Sequence, residues 1–315
     1  MIVAPLRGMP TASLLARVAA GQVGGVILLG NAWTSPPATA AAVAQLQSVA
    51  CRRGSPLLVG VDQEGGSVRR FPWAAPTESA ALMRTPAEAR AQAAAAAPLL
   101  RQAGIGIDFA PVSDTVSTPR SFLGTRAFGA DPSLVARMAG AFVTGLQSGR
   151  VAATAKHFPG LGSAVASTDD RAVTVARSAA FLTSRLAPFR AAIAAGAKLV
   201  MVSNASYPAL DPSGVQAVFS RTIVTGLLRA QLGFEGVVVT DALDAGAVAS
   251  VQHAPARALG AGVDLLLYSM TSASEAGYAS LVHDAAASAT VRAELASANA
   301  RIAALKRWLG LACNS

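Results

Sequence analysis

Eight short apolar runs divide the chain at intervals that leave few folds open. They read "MIVAPL", "GGVILLG", "PLLVGVD", "IDFAPVSD", "VAATAKHF", "KLVMVSN", "GVVVTDA" and "DLLLYS". Each is rich in β-formers and apolar throughout rather than alternating, the pattern of a strand covered on both faces. Between them lie segments of helical periodicity, such as "PATAAAVAQLQSVACRRG" and "SRTIVTGLLRAQLG", each stopped by a glycine. Eight strands alternating with helices over 315 residues predict an α/β chain folded as a (β/α)8 TIM barrel, one domain over residues 1–315. An open, doubly wound sheet is the competing reading. No glycine-rich phosphate fingerprint follows the first strand, which counts against it.

Composition agrees and excludes other classes. Hydrophobic residues make up 52% of the chain and charged ones 14%, enough apolar material for a large core. Tracts such as "AEARAQAAAAAPLL" read as packed helices rather than disorder. The net charge of +9 comes from scattered arginines, and no basic run interleaves with aromatics, so no nucleic-acid partner is expected. An attraction to anionic polymers such as cell-wall material remains open. The charge-free stretch from Gly21 to Cys51 is interrupted by Gly24, Gly25, Asn31, Pro36 and Pro37, so no membrane span is expected. The start, "MIVAPLRGMP", lacks the basic-then-apolar order of a signal peptide. The three histidines are far apart in sequence, and neither cysteine sits in a metal-type spacing, so neither metal nor cofactor is expected.

Polar residues cluster where the predicted strands end. Asp62, Asp114, Lys156 with His157, Asn204 and Asp241 each lie at or just past the carboxyl end of a different run. In a closed barrel those ends converge on the face where active sites are built. A single strand-end aspartate means little, because it often caps the following helix. Agreement among five strands points to a pocket. Asp264 begins its run and is expected to be structural.

The segments "VGVDQEGGSVRRF", "GIGIDFAPVSD", "KHFPGLG" and "GFEGVVVTDALDAGAV" resemble, in this order, the motifs of glycoside hydrolase family 3. The resemblance covers nearly the whole chain and is closest in architecture to the single-domain bacterial β-N-acetylhexosaminidases. It implies a retaining exo-glycosidase. Asp62 would accept hydrogen bonds from sugar hydroxyls. Arg70 and Arg126 would donate to sugar oxygens or to pocket carboxylates, Lys156 and His157 would bind ring hydroxyls, and Asp241 would attack the anomeric carbon. A pyranose needs paired donors and acceptors, and an oxocarbenium-like transition state needs a carboxylate beneath it. Glu64 is expected to orient Arg70 or the backbone, with Asp114 and Asn204 as further supporting groups. Members of the family usually carry a helix before the first strand, which leaves open whether residues upstream of Met1 are missing.

The second catalytic group is where the chain departs from the resemblance. The family's hexosaminidases place an Asp-Ser-His sequence on a mobile loop after the "KHFPG" turn, so that an aspartate orients a catalytic histidine. The matching positions here are Ser167, Thr168 and Asp169, and Leu161 stands where "KHFPGHG" has its histidine. Asp169 is therefore the expected acid/base, because a carboxylic acid desolvated under a loop can hold its proton near neutral pH. Asp170 and Glu64 are the alternatives. The expected substrate is a terminal β-linked N-acetylglucosamine, from cell-wall glycan among other sources. A β-glucosidase or β-xylosidase is the second enzymatic reading, and a non-catalytic glycan-binding barrel the third. The expected oligomeric state is a monomer. Cys51 and Cys313 fall at helix ends on one face of a barrel, so a disulfide is open to them. Pairing would imply an exported protein, and an extracytoplasmic location is favoured over the cytoplasm on that basis.

Overall fold

The structure, a computed structural model, describes residues 1–313. The eight apolar runs are its eight main strands: β1 Ile2–Leu6, β2 Gly25–Leu28, β3 Leu58–Val61, β4 Ile107–Asp108, β5 Ala152–Phe158, β6 Leu199–Val202, β7 Val237–Thr240 and β8 Leu266–Leu267. All neighbours are parallel, in the ring order β8-β1-β2-β3-β4-β5-β6-β7. The ring closes where Val239 bridges Leu265, with the Leu265 amide donating to the Val238 carbonyl at 3.0 Å. Closure removes the open-sheet alternative. Every residue of the eight strands is buried, which explains why the runs are apolar without alternation.

Strand lengths follow local chemistry. β4 stops after Asp108 because Pro111 has no amide hydrogen to extend the ladder. Beyond Asp108 the pairing continues piecemeal: the carbonyls of Ala110 and Pro111 accept from Thr154 and Lys156, and the amides of Phe109 and Ser113 donate to Val61 and Lys156. The helices start where side chains can cap them. Ser35 accepts from the Ala38 amide at Pro36–Cys51, and Thr85 and Glu88 form a reciprocal capping box at Pro86–Gln102. In the latter, Ala89, Ala93, Ala96 and Ala97 are fully buried, so the alanine-rich tract is a close-packed helix. The predicted helix in "SRTIVTGLLRAQLG" is present at Thr222–Gln231, but its turns are wound wider, as a π-helix.

Beyond the eight expected strands, a two-stranded hairpin, Gln63–Gly65 with Val68–Arg69, rises from the end of β3. Gly65 and Gly66 make its turn possible at φ of 95° and 58°, which side chains rarely tolerate. The opposite end of the barrel is structural. Asp264 is buried there between Arg229 and Arg301, at 2.8 Å and 2.7 Å. Cys51 and Cys313 are joined in a disulfide, their Cα atoms 5.2 Å apart. Among the described residues no helix is long and apolar enough to cross a membrane, and no group of three or more ligating side chains could hold a metal ion.

Candidate active site

A cavity of about 640 Å³ opens at the carboxyl ends of the strands. Asp62, Lys156, His157 and Asp241 all line it, so residues delivered by β3, β5 and β7 meet around one mouth. Its walls also include Glu64 and Arg70 from the hairpin, Arg126, and Ser167 to Asp169 from the loop after β5.

Lys156 is the hub of the charge arrangement. Its Nζ lies 2.6 Å from Asp62 Oδ1 and 2.7 Å from Glu64 Oε1, and the side chain is 2% exposed. Burial would favour the neutral amine, but Asp62 and Glu64 outweigh it and raise the pKa, so the ammonium persists. Arg126 closes the arrangement with two parallel hydrogen bonds to Glu64, each 2.8 Å. Burial alone would raise the Glu64 pKa. Lys156 and Arg126 reverse this and bring it down to about 2. Glu64 is therefore fixed as a carboxylate and is unsuited to donate a proton at neutral pH. The expectation that it orients Arg70 is corrected: its partners are Arg126 and Lys156. Arg70 instead lines the cavity with its Nε buried and without a partner, leaving donors available to a ligand.

Asp114 does not reach the cavity but builds its wall. Fully buried, it accepts from the His157 ring Nδ1 at 2.7 Å, the His157 amide at 3.0 Å and the Leu161 amide at 2.5 Å. One carboxylate thus fixes both the imidazole and the proline-glycine turn that follows it. Asn204, also buried, donates to the Ala242 carbonyl at 2.8 Å and so braces the segment just past Asp241. Asp241 itself accepts from the Ala242 amide at 2.8 Å, which orients its carboxylate at the mouth.

Two supporting residues were not singled out in the sequence. Asp108, fully buried at the end of β4, accepts from the Gln63 amide at 2.9 Å, and burial drives its carboxyl well above the usual carboxylate range. Gln63 spends its side-chain amide on the carbonyls of Phe71, Ala74 and Ala75 and accepts from the Phe71 amide. Together they fold the hairpin that presents Glu64 and Arg70. The "DQEGG" segment carries the turn signal for this hairpin in its paired glycines. Nothing local in "IDFAPVSD" marks Asp108 over Asp114.

The loop after β5 brings Asp169, not Asp170, into the cavity wall. The Asp169 amide donates to Ser167 Oγ at 3.1 Å. Its side chain is open to solvent from the mouth. Even so, desolvation by the surrounding protein, and next the Asp241 carboxylate, hold its pKa above the ordinary value. Ser167, His157 and Arg126 pull the other way. Two carboxyl groups therefore share one pocket, and the one on the loop is biased toward its protonated form.

Residues 6–305 match the family profile described as the glycosyl hydrolase family 3 N terminal domain. A β-hexosaminidase of Xanthomonas oryzae pv. oryzae is 38% identical over 262 residues, covering 78% of this chain and 76% of that protein. A solved family 3 β-N-acetylglucosaminidase from Paenibacillus sp. superposes with a TM-score of 0.92 at 32% identity, over 98% of this chain and 61% of that one. A β-N-acetylhexosaminidase from Beutenbergia cavernae matches with a TM-score of 0.88 at 33% identity, over 99% and 96% of the two chains. The chain belongs to glycosyl hydrolase family 3, a glycoside hydrolase acting on carbohydrate through the barrel of the family's N-terminal domain.

Proposed function

We propose that this barrel removes terminal β-linked N-acetylglucosamine with retention of configuration, with Asp241 as nucleophile and Asp169 as acid/base. The observation that carries the reading is the pairing of two unlike carboxyl groups in one cavity. Asp241 is aimed by a backbone amide, and Asp169, lining the same cavity, has its pKa raised first by desolvation and next by Asp241. Retaining glycosidases need this division of labour. The sugar is the one acted on by the hexosaminidase and N-acetylglucosaminidase relatives. The structural unit doing this work is residues 1–315 as one barrel, acting as a monomer.

In the first step an Asp241 oxygen bonds to the anomeric carbon as the bond from that carbon to the aglycone oxygen breaks. The departing oxygen takes the proton of Asp169. In the second step water attacks the same carbon, Asp169 accepts a proton from it, and Asp241 leaves as a carboxylate. Asp62, held by Lys156, presents an acceptor to sugar hydroxyls, while His157, Arg70 and Arg126 present donors. Asp169, with Ser167 and Thr168 before it on the loop, takes the place of the Asp-Ser-His that the family resemblance implies there. The Cys51–Cys313 disulfide supports an extracytoplasmic site of action.

A panel of 4-nitrophenyl glycosides tests this reading. The N-acetyl-β-glucosaminide should exceed the β-glucoside and β-xyloside in kcat/KM by about tenfold or more, the net scale of a single hydrogen bond to the acetamido group. Preference for glucoside or xyloside would replace the sugar and keep the enzyme. Binding without turnover of any member would leave a glycan-binding barrel.

A further inference from the structure

The loop that carries Asp169 is fastened to the same segment that carries Asp241. Five residues past Asp241, the Gly246 amide donates to the Asp169 carbonyl at 2.7 Å, and the Ala247 amide donates to the Thr168 carbonyl at 3.0 Å. Behind these bonds, Ala245 and Val248 close the turn with amide bonds of 3.1 Å and 2.9 Å, and Gln216 donates to the Ala247 carbonyl at 3.1 Å. Thr168 is consequently 2% exposed although its neighbours on the loop face solvent. The approach leaves no room for a side chain on the latch. A Cβ on Gly246 would lie 2.4 Å from the Asp170 carbonyl oxygen and 2.9 Å from that of Asp169. The Gly246 φ is not in the left-handed region, so close approach is what demands glycine here.

We propose that Gly246 is a positioning residue for the acid/base, holding the Asp169 loop over the pocket by a main-chain latch that only a residue lacking Cβ permits. This rests on the reading of Asp169 as acid/base. The latch fixes the main chain on either side of the Asp169 side chain, whereas the neighbouring Ser167 contributes a single hydroxyl, which accepts from the Asp169 amide and lies close enough to its carboxyl to lower the pKa. The nucleophile does not depend on it. Asp241 is set by the Ala242 amide, and the Ala242 carbonyl is braced by the Asn204 side chain, which takes no part in the latch.

Gly246→Ala must push the loop carbonyls from 2.4 Å to beyond 3.0 Å and carry Asp169 with them. A displacement on the order of 1 Å of a catalytic group can cost about a hundredfold. The test compares the wild type, Gly246→Ala, Asp169→Ala and the double variant on two aglycones of the preferred sugar, methyl and 4-nitrophenyl. Gly246→Ala should lower kcat/KM on the methyl glycoside about 10- to 100-fold and on the nitrophenyl glycoside less than about threefold, because nitrophenolate leaves without a proton. It should keep a nitrophenol burst, showing that Asp241 is still glycosylated, and azide should restore part of the turnover. In the Asp169→Ala background the same substitution should change neither substrate more than about twofold, the non-additivity of two residues acting through one group. Gln216→Ala, which loosens the same turn without adding bulk, should show the same selectivity more weakly and covers poor folding of Gly246→Ala. Equal losses on both substrates, additivity in the double variant, or loss of the burst would overturn the proposal. If Asp169→Ala shows the leaving-group selectivity and both latch variants do not, the latch fails and the acid/base stands. If Asp169→Ala itself lacks that selectivity, the acid/base reading fails, and this inference with it.

Discussion

Asp169 and Asp241 are the same residue type in the same cavity, and their surroundings give them different proposed work. Desolvation at the mouth and the charge of Asp241 raise the Asp169 pKa. Once Asp241 is esterified by the sugar its charge is gone, so the Asp169 pKa should fall just when a base is needed. The sign of the pH dependence follows. With Asp169 in the proposed acid role its protonated form is the competent one for the first step, so kcat/KM on a methyl glycoside should fall as pH rises through the raised pKa. On a nitrophenyl glycoside that limb should be much shallower, and paired pH-rate profiles check the difference. Glu64 gives the opposite sign, in stability. Its folded-state pKa is depressed from 4.5 to about 2, so its contribution is present above 4.5 and is lost as pH falls toward 2. Urea unfolding between pH 5 and about 2 should show the wild type losing stability over this window. Glu64→Gln should be less stable at neutral pH, by about 3–5 kcal/mol for a broken buried pair, and flatter in acid.

At the scale of elements, each wall of the pocket is a strand end fixed by a buried polar residue beneath it. Asp114 is the clearest case, since three donors, two from His157 at the end of β5 and one from Leu161 in the turn after it, converge on its carboxylate. Asp114→Ala should leave these donors buried without an acceptor, at about 1–3 kcal/mol each if none finds water. Thermal unfolding should shift down, and KM should rise more than kcat falls, because His157 would lose its orientation toward the sugar. This layer also marks where sequence reading succeeds and stops. The strands were legible because burial on both faces forces continuous apolar runs, and Asp62, Lys156, His157 and Asp241 were legible because they sit directly at strand ends. The hairpin was overlooked although "EGG" signals its turn, because its strands are polar and brief. Asp108 and Gln63 gave no local sign, since what matters in them is which backbone groups they meet after the barrel closes. The same holds for the Gly246 contact with the Asp169 loop, which joins segments distant in sequence.

At the scale of the molecule, chemistry and closure occupy opposite ends of the barrel. The disulfide ties the end of helix Pro36–Cys51 to the tail beyond helix Ala289–Trp308, and Lys306 reaches Ser55 nearby at 3.3 Å. Reduction, or Cys313→Ser, should cost about 2–4 kcal/mol in urea unfolding while leaving kcat/KM within about twofold, because the cavity is at the far end. A parallel fall in activity would show that the two ends are coupled. The same separation lets the central claim be tested on the intact, folded enzyme. The direct measurement is peptide-level mass spectrometry after inactivation with 5-fluoro-N-acetyl-β-glucosaminyl fluoride, which slows release of a covalent intermediate. The account predicts one fluoro-sugar adduct, on the peptide containing Asp241, with none formed by Asp241→Asn. Turnover with no adduct, or an adduct on another carboxylate, would contradict it.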